Sequence, residues 1–330
     1  MIQVIKGISH EDWLKLRTNG LGSSEFGTAL GFNPYCSPYK LAVRKREERA
    51  GHIEEVQNEA MIMGHLAEDM VAKRWEMATG QVVIKASVGD WIVKSDRRPY
   101  MQASPDRTYW IDNEGPRNEE NKGILECKTT NLDLSEEKGS LITVTDNRGE
   151  HIIPATWYCQ VQYLLACAKK KKGCLAWYRL MQRQFDYVYI DYDDSWFEKA
   201  LQEVDVFWND CILNGQDPKL TADDVSIKYP DSTKGAGLEV SEDIAVKVAE
   251  LKDLKAQAKE IDSKAKVLEE EIKSKCTDAE EYTYAGVVLW TYKSAKSSTT
   301  FDAKRFQLEN ADLAEKYMVE KPGSRRFLLK

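Results

Sequence analysis

Five short runs of β-type residues lie between two helical stretches, and this arrangement constrains the fold more than any other feature. The runs are QVVIKA, GDWIVK, PYMQAS, RTYWI and GILECKT. Turn residues separate them, as in an antiparallel meander. A helix is expected before them from about Val56 to Thr79, ending at Gly80, and another after them from about Pro154 to Lys169. Two more strands, CLAWYRLM and FDYVYID, and a closing helix complete a mixed α/β unit over residues 1–220.

The pattern changes beyond residue 215, where a linker, PDSTKGAGLE, leads into a heptad repeat. Apolar residues recur there in steps of three and four, at Leu251, Leu254, Ala258, Ile261, Ala265, Leu268 and Ile272. This spacing predicts a long helix, at about 241–276, that packs in coiled-coil fashion. A strand, a helix and a final strand are expected after it. We therefore predict two domains, 1–215 and 216–330.

Composition narrows the class of protein. The 330 residues carry a net charge of −7 and a mean hydropathy of −0.54. No apolar run approaches the roughly 20 residues of a membrane helix, and no secretory signal is visible, so we expect a soluble cytosolic protein. The acidic balance argues against a generally adhesive DNA binder, but locally clustered charge and bound metal leave a nucleic-acid enzyme open. The seven cysteines form no CxxC pair, which predicts core residues rather than disulfides or a zinc knuckle.

Two carboxylates and a lysine form the most informative motif. Ser104-Pro105-Asp106-Arg107 precedes Glu126-Cys127-Lys128, and together they match the PD-(D/E)xK pattern of metal-dependent nucleases. Phosphodiester hydrolysis needs Mg²⁺ to neutralise phosphoryl charge and to activate water, and hard cations bind oxygen ligands. Residues i and i+2 of a strand share a face, so Glu126 and Lys128 are expected to point together. Lys128 would orient or deprotonate the water, and the Cys127 carbonyl would be a further ligand. Short matches of this kind also arise by chance in charged proteins.

Two polar residues stand on otherwise apolar helix faces. Glu68 shares its helical face with Gly64, Ala72 and Trp75, where an unpaired carboxylate is costly. Gln160 is similarly placed on its helix, and we expect it to hydrogen-bond a metal-bound water or the lysine, although it could satisfy a backbone group instead. Gln162 is less well placed.

A third set lies near the N-terminus. Ser23 and Ser24 form a serine-rich turn that enters a helix, which is typical of an anion site. Arg17 adds a bidentate phosphate partner. The alternative is a helix N-cap beside a surface arginine.

These residues together resemble the YqaJ-type viral recombinase family, to which the phage lambda exonuclease is related. The matching stretches are WLKLRTNGLGSSE, GHLAEDMVAKRWEMATG, SPDR, LECK and YCQVQYLLA. They cover roughly residues 10–210 in the family's order. The resemblance implies an alkaline-exonuclease fold with a PD-(D/E)xK core, in which helices flank a central mixed sheet. It also implies 5′→3′ digestion of one strand of linear duplex DNA, leaving 3′ single strands for recombination by annealing.

The resemblance also implies roles for individual residues. Asp106, Glu126 and the Cys127 carbonyl would bind Mg²⁺, and Glu68 would complete a second metal position, with Mn²⁺ able to substitute. Lys128 would activate the water with support from Gln160. The 5′-terminal phosphate would bind Arg17, Ser24 and the neighbouring Ser23. The expected partners are duplex DNA ends, a single-strand annealing protein and further copies in a ring, as a trimer or tetramer in a bacterial host cytosol.

Alternatives remain open at this point. Related nucleases with iron–sulfur clusters need four suitably spaced cysteines, and this spacing predicts no cluster. The same core could be an endonuclease, and the heptad helix could organise a non-catalytic DNA-binding or scaffold protein. The run Lys169–Lys172 could contact DNA or simply complete a helix C-terminus. The last hundred or so residues lie outside the match to the lambda exonuclease.

Overall fold

The structure is a computed structural model that describes residues 2–53, 59–84, 90–131, 139–319, 323 and 325–329. The chain divides into two compact units, Met1–Ile227 and Lys228–Lys330. This division falls later than the domain boundary predicted after residue 215. The reason is that Asp224 is fully buried and accepts a hydrogen bond from Ser37 Oγ at 2.6 Å, which ties its helix to the first unit.

The first unit combines helices with short strands. Its strands are β1 Gln3–Ile8, β2 Val83–Ile84, β3 Asp90–Lys94, β4 Gln102–Ala103, β5 Arg107–Trp110, β6 Lys122–Thr130, β7 Leu141–Asp146, β8 Gly149–Pro154, β9 Lys172–Arg179 and β10 Gln184–Asp191. Its helices are α1 His10–Thr18, α2 Ser23–Ala29, α3 Pro38–Arg49, α4 Glu59–Thr79, α5 Ala155–Ala168, α6 Asp194–Val206, a π-helical continuation at Phe207–Leu213, and α7 Ala222–Lys228. Helix α4 ends where Gly80 takes a left-handed conformation, as predicted. The start predicted near Val56 falls outside the described residues.

A five-stranded mixed sheet forms the centre of this unit, in the order β10-β9-β6-β5-β2. Strands β6 and β9 run parallel, with α5 in the connection between them, and the other neighbours are antiparallel. A separate antiparallel sheet pairs β3 with β1 and β4. The predicted mixed α/β architecture, with a central mixed sheet and flanking helices, is confirmed. Its assignment to the PD-(D/E)xK core stays a prediction.

The β7–β8 hairpin covers the outer edge of β10, where unpaired backbone groups would otherwise attract another strand. Asp146 Oδ2 accepts the Tyr189 N–H at 3.0 Å, and Arg148 donates to the Tyr187 carbonyl and to Asp186. The tip of the hairpin therefore closes the sheet edge.

Apolar side chains pack on both faces of the central sheet. On one face Phe26, Tyr163 and Phe197 stack among α2, α5 and α6. On the other face α4 packs Trp75 against Tyr109 and Cys174. Most of the cysteines are buried core residues, as predicted: Cys127, Cys159, Cys167, Cys174 and Cys211. The two layers hold β6 between helices α4 and α5.

The second unit differs from its prediction in detail. It contains α8 Glu242–Lys273, β11 Glu281–Tyr284, β12 Val287–Thr291, α9 Ala303–Glu309 and α10 Ala311–Glu315. The expected strand–helix–strand is wrong at its first and last elements. Ala285 and Gly286 take left-handed conformations and turn the first run into a hairpin. The final run, RRFLLK, forms no strand among the described residues 325–329, because a short apolar run becomes a strand only where another strand pairs with it.

The hairpin brings two of its aromatic residues together. Tyr282 and Trp290 are cross-strand partners whose rings stack at 4.8 Å. In the part of the chain that the structure describes, no helix has both the length and the hydropathy of a membrane span.

Candidate active site

The motif carboxylates meet at the junction of β5 and β6. Asp106 immediately precedes β5, and Glu126 and Lys128 lie on β6. Asp106 Oδ2 accepts the backbone N–H of Cys127 at 2.8 Å, so the turn carboxylate is anchored to the strand that carries its partner. Leu125 and Cys127 point into the α4 core, on the face of β6 opposite Glu126 and Lys128, which follows from the two-residue period of a strand.

Two donors hold one oxygen of Glu126. Lys128 Nζ lies 2.7 Å from Glu126 Oε1, and Gln160 Nε2 donates to the same oxygen at 2.5 Å. The other oxygen, Oε2, is buried and has no hydrogen-bond partner among the described residues. The structure therefore brings together Asp106, Glu126, Lys128 and Gln160. Gln162 is buried elsewhere, where it bonds the Asp191 carbonyl and the Asp193 N–H.

Burial shifts the pKa values of the charged groups in this cluster. The pKa of Asp106 lies well above its ordinary value because of burial, and the charges of Glu126 and Glu68 add to the rise. Burial also raises the pKa of Glu126, although Lys128 opposes the shift. Burial lowers the pKa of Lys128, but Glu126 and Asp106 outweigh it, so the net shift is upward. The neighbouring carboxylates therefore favour the protonated form of Lys128.

Glu68 faces this cluster from α4 and has partners that the sequence reading missed. Its carboxylate lies 2.9 Å from His65 Nδ1 and 3.8 Å from Arg107 Nη1. Arg107 also pairs with Asp69 at 2.8 Å. The sequence contained a signal for this contact. Arg107 is the last residue of the SPDR motif and follows Asp106 directly, so it must lie beside the site.

The donor chemistry suits a hard divalent cation. Asp106, Glu126 and the Cys127 carbonyl are all oxygen donors, the type that Mg²⁺ prefers. The unpartnered Glu126 Oε2 and the raised pKa values of both carboxylates show a deficit of positive charge, which a cation would offset. Among the described residues, no group of three or more His, Cys, Asp or Glu side chains is arranged to hold a metal by itself. Both metal positions, the one at Asp106 and Glu126 and the one completed by Glu68, stay predictions.

The N-terminal set lines the same cavity as the carboxylates. This cavity has a volume of about 800 Å³, and its walls include Arg17, Ser23, Ser24, Glu68, Asp106, Glu126, Lys128 and Gln160. The Arg17 guanidinium lies 4.4 Å from the Trp13 ring centroid. Ser24 is exposed at the start of α2, whereas Ser23 is largely buried. Both predicted sets of site residues therefore face one space.

A buried ion network supports the Arg17 side of the cavity, and the sequence reading missed it. Glu25 pairs with Arg44 at 2.7 Å and with Lys45 at 3.0 Å, and its Oε2 accepts the Gly22 N–H at 2.8 Å. Lys45 is almost fully buried, with 2% of its side chain exposed. The available signal was Glu25 at the third position of a helix that follows Gly22, where a carboxylate reaches back to the N-cap backbone.

The basic run after α5 is paired with carboxylates. Lys169 binds Asp96 at 2.7 Å, Lys170 binds Glu119 at 2.9 Å and Lys172 binds Asp191 at 2.7 Å. Lys169 itself takes the left-handed conformation that ends α5. These contacts favour a structural role for the run.

Residues 12–171 match the YqaJ-like viral recombinase domain. This match confirms the predicted resemblance, and it includes Arg17, Glu68, Asp106, Lys128 and Gln160. The chain is also 27% identical over 330 residues to the uncharacterized protein YqaJ of Bacillus subtilis (strain 168), a similarity that covers 98% of this chain and 95% of that protein.

Solved structures similar to the YqaJ-like chain include exonucleases. One is the alkaline exonuclease LHK-Exo from Laribacter hongkongensis, at 19% identity and a TM-score of 0.46, covering 62% of this chain and 93% of that chain. Another is a phage-related exonuclease from Haemophilus somnus 129PT, at 12% identity and a TM-score of 0.39, covering 60% of this chain and 96% of that one.

Proposed function

We propose that this protein is a metal-dependent 5′→3′ exonuclease that acts on linear double-stranded DNA. One observation carries the proposal: Arg17 and Ser24 line the same cavity as Asp106, Glu126 and Lys128. A phosphate-binding set beside a carboxylate–lysine cluster suits an enzyme that grips a terminal phosphate and cleaves nearby.

Each residue of the cluster has a part in this reaction. Asp106, Glu126 and the Cys127 carbonyl hold Mg²⁺, and Glu68 completes a second metal position. The bound cation supplies Lewis-acid stabilisation of the phosphoryl group and a water of lowered pKa. Gln160 keeps Glu126 Oε1 in place, and Glu126 Oε2 would be available to the cation. Lys128 orients the attacking water through its ammonium group.

The contact with the terminal phosphate explains why the enzyme would act at ends. Arg17 offers a planar fork of donors that matches the oxygens of a phosphate group. The hydroxyl of Ser24 adds a further donor at the exposed start of α2. An internal phosphodiester has no free end to fill this position, so its affinity for the cavity is lower.

The similarity to the YqaJ-like viral recombinase domain supports a wider role. Digestion of one strand leaves a 3′ single strand, which a single-strand annealing protein would bind for phage-type recombination. The proposed setting is the cytosol of a bacterial host, where the protein is encoded by a phage or prophage. A ring-shaped trimer or tetramer that encloses the duplex remains the proposed assembly of the nuclease units.

The test compares linear duplexes that differ only at the 5′ end. With Mg²⁺ or Mn²⁺ present, we expect faster digestion of the 5′-phosphorylated duplex than of the 5′-hydroxyl duplex, and no digestion by Asp106→Ala or Lys128→Ala. Cleavage of closed circular DNA would instead indicate an endonuclease on the same core. Intact linear duplex with both metals would contradict the proposal and favour a binding or scaffold protein.

A further inference from the structure

Helix α8 leaves an apolar seam exposed along most of its length. None of the residues of Glu242–Lys273 is buried. Leu254, Ile261 and Leu268 are exposed by 54%, 64% and 59%. An amphipathic helix gains its stability mainly by burying its apolar face against another element. The exposed seam therefore requires a partner.

The period of the seam indicates what kind of partner fits. Apolar residues follow steps of three and four from Leu251 to Ile272, which is a repeat of 3.5 residues. A strict 3.5-residue repeat keeps its face on a neighbouring helix only through left-handed supercoiling, so the partner is another helix of matching repeat. Leu251, Ala258, Ala265 and Ile272 occupy the a positions, and Leu254, Ile261 and Leu268 occupy the d positions.

The charges beside the seam match a second copy of the same helix. In a parallel, in-register pair, each g residue faces the e residue of the next heptad on the other helix. Glu250 then faces Lys255 of the second copy, and Lys264 faces Glu269 of the second copy. The remaining pair, Gln257 with Asp262, has no like charges. The parallel arrangement therefore has two attractive contacts on each side and no repulsive one.

The antiparallel arrangement is less favourable. With the greatest overlap of the apolar seam, it places Glu250 opposite Glu271 of the second copy on both sides. In the same arrangement Lys264 faces Gln257, Glu269 faces Val248 and Lys255 faces Asp262. The attraction between Lys255 and Asp262 only balances the repulsion between Glu250 and Glu271, whereas the parallel pair has no repulsive contact to balance. Like charges at such positions oppose pairing and set orientation.

The a positions also favour two strands over three. Alanine occupies two of the four a layers of the seam, at Ala258 and Ala265. A three-stranded core encloses more space in each layer, and small side chains would leave it unfilled. Two helices can approach closely across alanine and keep the layer packed.

We propose that α8 pairs with α8 of a second copy of this chain, in a parallel, in-register, two-stranded coiled coil. This self-association is independent of the nuclease chemistry, because no catalytic side chain takes part in it. Its consequence is that two YqaJ-like domains are carried on one coiled coil. Association of the nuclease units through other surfaces would add to this contact.

The test uses a cysteine at a d position near the start of the helix. Lys247 lies in the seam register before Leu251, and its contact with Asp243 is long, at 4.0 Å. In the full-length chain, Lys247→Cys is expected to form a disulfide between two copies at position 247, identified by mass spectrometry of the linked peptide. The antiparallel pair separates these positions by most of the helix. The matched control Lys259→Cys lies at an outward b position and is expected not to cross-link.

Charge reversal in the Lys247→Cys background tests the register. Lys264→Glu or Glu269→Lys alone creates two like-charge contacts in the parallel pair, and the double variant restores attraction. We expect each single variant to weaken association about tenfold, with slower cross-linking and a higher dissociation constant in sedimentation equilibrium. We expect the double variant to recover both properties.

Two further variants control for helix stability. Lys264 pairs with Glu260 within the helix, and Glu269 pairs with Lys273, at 2.6 Å in both cases. Glu260→Lys and Lys273→Glu break the same pairs at outward positions, so they should leave cross-linking unchanged. Absence of the 247–247 cross-link, a three-chain assembly through this helix, or equal behaviour of single and double variants would overturn the proposal. Circular dichroism checks that every variant keeps its helix content.

Discussion

Gln160 and Glu126 meet across the contact between helix α5 and strand β6, where Gln160 Nε2 donates to Glu126 Oε1 at 2.5 Å. Lys128 reaches the same oxygen, and Oε2 has no hydrogen-bond partner among the described residues. The amide thus holds one oxygen of a carboxylate that we propose as a metal ligand.

Removal of this amide should impair catalysis more than folding. We expect Gln160→Ala to reduce the rate of duplex digestion by about 10- to 100-fold, because partners that orient a metal ligand have effects of this size. Initial rates over a range of Mn²⁺ concentrations would show a weaker apparent metal affinity. Gln162→Ala is the comparison: it leaves the Asp193 N–H without its acceptor and should cost about 1–3 kcal/mol of stability. A wild-type rate in Gln160→Ala would contradict the orienting role.

Metal binding should stabilise the fold, and more strongly as the pH rises. The pKa of Asp106 is raised by burial and by the charges of Glu126 and Glu68. A buried acid with a raised pKa is neutral at low pH, and the free energy of unfolding falls as the pH rises through that pKa. A bound divalent cation offsets this loss. The increase in Tm caused by Mg²⁺ over EDTA should therefore grow from about pH 5 to about pH 8.

The Asp106→Asn variant tests this assignment. It should lose the Mg²⁺-dependent increase in Tm and show a flatter pH dependence without metal, since the ionising group is gone. Glu150→Gln, which changes an exposed carboxylate on β8, should behave as wild type. An unchanged Mg²⁺ response in Asp106→Asn would argue against a metal at this position.

Arg17 should control the preference for a 5′-phosphate. Arg17→Ala is expected to reduce kcat/KM on 5′-phosphorylated duplex by about 10- to 100-fold, the loss that follows from removing a hydrogen-bonded charge. The rate on 5′-hydroxyl duplex should change little, so the ratio of the two rates approaches one. Arg17→Lys keeps the charge but loses the bidentate fork. Its ratio of the two rates should lie between those of the wild type and Arg17→Ala. Lys15→Ala, on the same helix, should keep the wild-type ratio because Lys15 is exposed and forms a surface salt bridge with Glu11.

Glu25 should contribute stability that depends on pH. Burial raises its pKa, but the positive charges of Lys45, Arg17 and Arg44 outweigh burial, and the net shift is downward from 4.5. A carboxylate with a lowered pKa stabilises the fold above its unfolded pKa and loses that effect as the pH falls through the folded value. Glu25→Gln should therefore cost about 3 kcal/mol at neutral pH, as expected for a broken buried pair.

Urea unfolding at a series of pH values provides the measurement. The difference between wild type and Glu25→Gln should narrow below about pH 4 as the wild-type carboxylate protonates. Glu11→Gln, which alters an exposed ion pair, should show almost no difference at any pH. If the difference in unfolding free energy stayed constant across the pH series, the loss of stability would be due to packing instead of charge.

Local patterns in the sequence were sufficient for several features. The two-residue period of a strand was enough to place Glu126 and Lys128 on one face, and Gly80 marked the end of α4. The 3.5-residue period indicated α8 for the same reason, since it depends only on residues three and four apart. The hairpin at Ala285 and Gly286 was missed because one dipeptide reversed a pattern that otherwise continued.

The sequence by itself determined the helix and strand types around the motif, the family resemblance and the identity of the candidate site residues. Only the tertiary structure decided that Gln160 and not Gln162 reaches Glu126, that Asp106 is anchored to the Cys127 N–H, and that Arg17 shares a cavity with them. The physical reason is the distance along the chain between the residues in contact. Periodicity depends only on neighbours within one turn or pleat, whereas these contacts depend on how the strands pair and how α5 packs on the sheet.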